Sequence, residues 1–207
     1  MKIMSRAYAD VGRIGQKRRT LDALVGAARS LVASGVSPTV DDAAQAAGIA
    51  RSTAYRYFPG QRELLAAAHP ETARMSLLPE SPPPGAAERL DAVVAEFTRI
   101  IVDTEAQQRT MLRLSLEQAG GEVRGLPLRQ GRAIAWIAEA LAPLQGQMTD
   151  QDIHQLALAI RSAIGIESLA WLTDVGGLSR EEAIDSMRWT ARALLTHALT
   201  AGLPTRE

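Results

Sequence analysis

The chain has 207 residues, 46% hydrophobic and 22% charged, a composition that suits a globule with its own core. It has no cysteine, which excludes disulfides, thiolate zinc sites and cysteine nucleophiles. The zero net charge divides unevenly: residues 1–68 hold ten Lys/Arg and five Asp/Glu (+5), leaving thirteen and eighteen (−5) for residues 69–207. A basic head on an acidic body is expected of a DNA-binding module joined to one that does not bind DNA, although chance segregation of solvated charge gives the same sums. The opening Met1-Lys2-Ile3-Met4-Ser5-Arg6 is not followed by the apolar run of a secretion signal. No stretch reaches about 18 uninterrupted apolar residues. The expected location is the cytoplasm, with no membrane partner.

The hydrophobic periodicity is helical throughout, with no alternating strand pattern and no Asn-Gly or Asp-Gly hairpin signal. Arg6, Arg13, Lys17, Arg18 and Arg19 form a basic N-terminal arm, either a backbone-tracking extension or a solubilising tail. The first helix is expected from about Lys17 to Gly35, with Leu21, Leu24, Val25, Ala28, Leu31 and Val32 on one face. Thr39, three residues before Asp42, reads as the N-cap of a short second helix, Val40 to Ala47, stopped by Gly48. A third helix covers Arg51–Tyr57 and ends at Phe58-Pro59-Gly60; a fourth starts near Gln61 with Leu64 and Leu65 as apolar contacts. Pro70 is expected to kink or break it. Pro79, Pro82, Pro83, Pro84 and Gly85 read as a stiff linker.

Longer helices follow. Leu90, Val93, Val94, Phe97, Ile100 and Ile101 share one face, and Met111, Leu112, Leu114 and Leu116 precede Gly120-Gly121. One helix is expected over 128–144 around Trp136, and a single long one over 150–173 with a stripe of Ile153, Leu156, Ile160 and Ile164. Ser179 to Glu182 is a capping box opening the last helix, whose stripe is Ile184, Met187, Ala191, Leu194 and Ala198. The plan is all-α, about nine helices: an arm over 1–16, a DNA-binding head over 17–68, a Pro-rich linker over 69–85, and a bundle body over 86–207.

Two short helices about three residues apart, with Gly48 at the turn, have the spacing of a helix-turn-helix, whose second helix enters the major groove. Arg51, Ser52, Thr53, Tyr55, Arg56 and Tyr57 supply small, polar and hydroxyl-bearing groups there. The run Thr39-Val40…Ala43-Ala44…Ala47-Gly48-Ile49…Thr53-Ala54-Tyr55-Arg56-Tyr57-Phe58-Pro59…Leu64-Leu65 closely resembles the N-terminal signature of the tetracycline-repressor (TetR) family, over roughly residues 20–65. The resemblance implies a three-helix head on a helical ligand-binding body, with the last two helices pairing with a second copy. Carried over by position, Thr39 is a phosphate-contacting cap, Arg51, Ser52 and Thr53 contact base or phosphate, and Tyr55 and Tyr57 clamp phosphate, with Arg56 beside them. Two positions depart from the pattern. Ala50 stands where the family usually has a serine cap, a loss of ~1 kcal/mol. Gln61 stands where a phosphate-pairing lysine is usual, and Arg62 points about 100° away.

The body has no catalytic constellation: His69, His154 and His197 are scattered, and no phosphate loop, dinucleotide fingerprint or His-Glu-x-x-His motif appears. Asp150 and His154, four apart, read as a cap carboxylate beside a solvated histidine rather than a metal pair. No cofactor or metal is expected. Phe97, Ile101, Met111, Leu112, Ser115, Trp136 and Trp171 are candidate lining residues for a small apolar, uncharged effector, although any single one of them reads more readily as core. Ile160, Ile164, Trp189 and Leu195 are candidates for the dimer interface, with Leu158 on a second apolar face. The function expected is a ligand-responsive repressor binding a palindromic operator as a homodimer. The alternatives are a ligand-independent or activating DNA-binding dimer, and a small helical enzyme, against which the missing acid–base clusters count.

Overall fold

The computed structural model describes residues 3–69, 74–117 and 131–204, with side chains from residue 15 onward except those of 114 and 117. Its architecture is all-helical; among the described residues the only sheet-like pairing is an isolated bridge, Gln145 to Met148.

The head comprises α1 (Ile3–Ala33), α2 (Val40–Ala46), α3 (Arg51–Tyr57) and α4 (Gln61–Ala68). Helix α1 begins far ahead of the expected Lys17, so the segment read as an arm is helical from Ile3. Leu24, Ala28 and Val32 recur every four residues and are fully buried. The first two pack with Val40, Ala43, Ala44, Ala54, Phe58, Leu64 and Ala68 in a core of its own. The alanines at 43, 44 and 54 let these very short helices approach closely, which supplies the burial that helices of two turns cannot do without. Helix α4 ends at Ala68. His69 has extended ψ (132°), the conformation that a following proline imposes. Pro70 itself lies outside the described residues, as do Gly120-Gly121.

The body comprises α5 (Ala86–Asp103), α6 (Glu105–Glu117), α7 (Arg132–Ala140), a 3-10 turn (Ala142–Leu144), α8 (Asp150–Ala163), α9 (Ile166–Ala170) continuing into a π turn (Trp171–Val175), and α10 (Arg180–Ala201). Helices α5, α7, α8 and α10 enclose the main core, while α6 packs across to α1 and α9. The proline-rich stretch lies against the body: Leu77 is buried in its core, the Trp136 indole N–H donates to the Met75 carbonyl (3.1 Å), and Ser76 donates to Glu139 (2.8 Å).

Two expected helices are shorter than their periodicity suggests. Residues 128–130 lie outside the described set; α7 starts at Arg132 after Gly131 (φ +62°) and gives way to the turn containing Pro143. The single helix expected over 150–173 is broken at Ile164–Gly165. Gly165 is extended there, and a Cβ on it would lie 2.0 Å from Nη1 of Arg161 and 2.1 Å from Oε2 of Glu167. Those two side chains pair across the break at 3.3 Å, and the Arg161 guanidinium sits 5.4 Å from the Phe97 ring centroid. By length and composition alone, Asp150–Val175 is apolar enough to cross a membrane. The Gly165 break and its packing against α7 and α10 make it a core element of the bundle.

Candidate nucleic-acid interface

The interface is built from the start of α2, the Gly48 turn and α3. Thr39 caps α2 in a closed box: its hydroxyl donates to Oδ2 of Asp42 (2.7 Å) and accepts from the Asp42 N–H (3.2 Å), while its own N–H donates to Oδ2 (2.8 Å). The Thr39 hydroxyl and N–H together hold the Asp42 carboxyl below the usual carboxylate range. Gly48, at φ +65°, makes the sharp exit from α2 that an L side chain disfavours. Helix α3 then starts at Ala50 with no side-chain cap, as the alanine requires.

Along α3 the side chains divide by face. Ala54 is buried and Phe58, just after the helix, anchors its end in the head core. Arg51, Ser52, Tyr55 and Arg56 are exposed, Thr53 and Tyr57 half-buried. Tyr55 is 43% exposed, so it is a surface tyrosine, whereas the Tyr57 ring packs on the head core. One polar strip of small, hydroxyl and guanidinium groups therefore lies beside an N-terminal helix cap, the combination that backbone positioning and base contact require.

Two of the expected contacts have protein partners. Gln61 donates its amide N–H groups to Ser37 Oγ (3.2 Å) and the carbonyls of Ser37 (3.2 Å) and Pro38 (3.0 Å). It thus straps the start of α4 to the loop before α2, at the position where the resemblance places a phosphate-pairing lysine. Arg51 donates from Nε to Oδ1 of Asp41 (2.7 Å) and from Nη2 to Oδ2. That partner, ten residues back, follows no helical spacing; only the packing of α3 on α2 brings the two together.

The seam between head and body was also silent in the sequence. The carbonyl of Ala68, the last residue of α4, accepts from Arg29 Nε of α1 (3.1 Å) and from Gln107 Nε2 of α6 (2.8 Å). Val32, Leu65 and Met111 form a small buried cluster of α1, α4 and α6. Met111, expected in a ligand pocket, thus sits in this seam. Phe97 and Trp136 meet edge to face (6.1 Å between centroids) within the main core with Ile101; Leu112 packs against that core and Ser115 is half-buried on α6. Trp171 is 60% exposed and lies apart from them, lining a cleft with Ser186, Met187 and Thr190.

The candidate interface residues also separate. Ile160 and Ile164 are fully buried and Leu195 nearly so, all inside the protomer's own core, so they have no area left for a partner. Trp189 is 70% exposed, and Leu158, Trp171, Val175 and Leu199 join it as exposed large apolar residues of α8, α9 with its π turn, and α10. Among the described residues there is no cluster of three or more potential metal ligands.

The sequence model described as bacterial regulatory proteins, tetR family, matches residues 23–68, which run from within α1 to the end of α4. No curated protein matches the chain. The matched stretch coincides with the head core, the Gly48 turn and the polar strip of α3; over these residues the chain is similar to the tetR family of bacterial regulatory proteins, which supports a DNA-binding transcriptional regulator of that family.

Proposed function

We propose that the chain is a cytoplasmic, ligand-responsive repressor that binds a palindromic operator as a two-fold dimer. The observation that carries the responsive part is the shared grip on Ala68: one carbonyl at the end of α4 is held from the head by Arg29 and from the body by Gln107. A shift of α6 that favours one position of α4 biases the placement of α3, so effector and DNA are coupled through two states of the protomer pair. Gln108, next along α6, supports an effector site on the same helix. It is 3% exposed, and among the described residues its amide nitrogen has no hydrogen-bond partner. A buried unpaired donor is costly, and an apolar effector carrying one acceptor would offset that cost.

Dimerisation is supported by the exposed apolar residues of α8–α10, helices that pack side by side. An interface of order 2,000 Å² is expected of such a face. No catalytic role is proposed. Selection from a randomised duplex pool tests the reading, and an inverted repeat is the expected product. A single unrepeated site, with light scattering reporting a monomer at micromolar concentration, contradicts the dimeric repressor and leaves only a DNA-binding protomer.

The packed contacts of Phe97 and Trp136 favour the second reading, a closed body with no effector. Under it, Gln108→Leu raises the melting temperature and changes nothing else. Under the first, the same variant loses its response to effectors bearing an acceptor.

A further inference from the structure

We infer that Arg51 reads a guanine and that Asp41 is the residue that aims it; this rests on the DNA-binding role of α3. Arg51 is the first residue of α3, and its side chain is 73% exposed. Its guanidinium lies edge-on against the Asp41 carboxylate through Nε and Nη2. Those bonds use two of the fork's five N–H groups. The side chain is therefore held in one direction by the two-bond pairing with Asp41 before any DNA arrives.

That arrangement suits a base edge better than a phosphate. A phosphate contact draws on unbalanced charge and tolerates a mobile side chain. Here the Asp41 carboxylate offsets the arginine's charge and repels any phosphate brought close to the pair. A base contact draws on direction instead. The remaining end of a planar fork matches the two acceptors of guanine, N7 and O6, in the major groove. The N-terminal turn of a recognition helix is the part that meets base edges. Fixing the fork beforehand also removes the rotamer entropy that a free arginine loses on docking.

The test starts from the duplex recovered by selection with the wild-type protein. A panel replaces each base pair in turn, and dissociation constants are measured across a salt series for wild type, Arg51→Ala, Arg51→Lys and Asp41→Asn, with melting temperatures alongside. The expected result is that Arg51→Ala erases the guanine preference at one position, a loss of roughly ten- to a hundredfold there, with little change in salt slope. Arg51→Lys, which keeps the charge and loses the fork, fails at the same position. Asp41→Asn weakens the preference there severalfold while affinity for the other duplexes holds or rises. A uniform loss on every duplex with a slope smaller by about one unit makes Arg51 a phosphate contact and overturns the inference. So does a fall in melting temperature with base preference intact, which makes the pair a structural brace. If the wild type selects no sequence, the DNA-reading role of α3 falls as well; if wild type and Arg51→Ala select the same sequence, only the guanine assignment falls.

Discussion

At residue scale the tyrosines of α3 offer separable tests, because Tyr→Phe removes one hydroxyl and keeps the ring. Tyr55 is exposed, so Tyr55→Phe should leave the melting temperature unchanged and weaken DNA binding by about 1 kcal/mol, equally across sequences. Tyr57 lies with its ring on the head core, and the same change should act alike on DNA because the packing is retained. Residue types were legible here: a polar face interrupted by Ala54 and closed by Phe58 reads directly from the sequence. Partners were not. Asp41 stands ten residues before Arg51, and Ser37 stands far from Gln61; both pairings exist only once α2, α3 and α4 have packed. Ile160, Ile164 and Leu195 illustrate the converse, since an apolar stripe marks burial without saying whether the protomer or a partner provides it.

At the scale of elements, caps and turns were readable and breaks were not. The boxes at Thr39 and Ser179 form as their spacing requires, and Gly48 is left-handed. A Cβ at Gly48 meets nothing within 4 Å, so Gly48→Ala should cost only the backbone term, about 1–2 kcal/mol, read as a lower melting temperature of the head. Ala50→Ser should do the opposite: it supplies the missing cap of α3 and should stabilise it by about 1 kcal/mol. The break at Gly165 was hidden because Ile153, Leu156, Ile160 and Ile164 keep helical spacing up to the point where the chain leaves the helix. The Arg161–Glu167 pair spans the break and occupies the space a side chain at 165 would need. Helix α1 was likewise read short, since its first turns carry no apolar stripe to announce them.

At the scale of the whole molecule, charge and prolines suggested a head and a body, but nothing in the sequence marked the contacts between α1, α4 and α6. Met111 packs with Val32 and Leu65, so Met111→Ala should lower the melting temperature by the equivalent of about 2–5 kcal/mol. Gln107→Leu removes one of the two donors to Ala68 and should loosen coupling while leaving the head folded; effector-induced release of DNA should then shrink with little change in the affinity of the effector-free protein. For assembly, Trp189→Glu places a charge on the exposed face of α10, and light scattering should report a shift from dimer to monomer.

The most direct test of the central claim, that α3 holds DNA, is a salt titration of binding to the selected duplex for wild type, Tyr55→Phe, Tyr57→Phe and Arg56→Ala, with melting temperatures recorded for each. Melting should be unchanged for Tyr55→Phe and Arg56→Ala, each tyrosine variant should lose about 1 kcal/mol of affinity, and Arg56→Ala, which removes the exposed cation of the last turn, should lower the salt slope by about one unit. Unchanged affinity and unchanged slope in all three variants would contradict that claim.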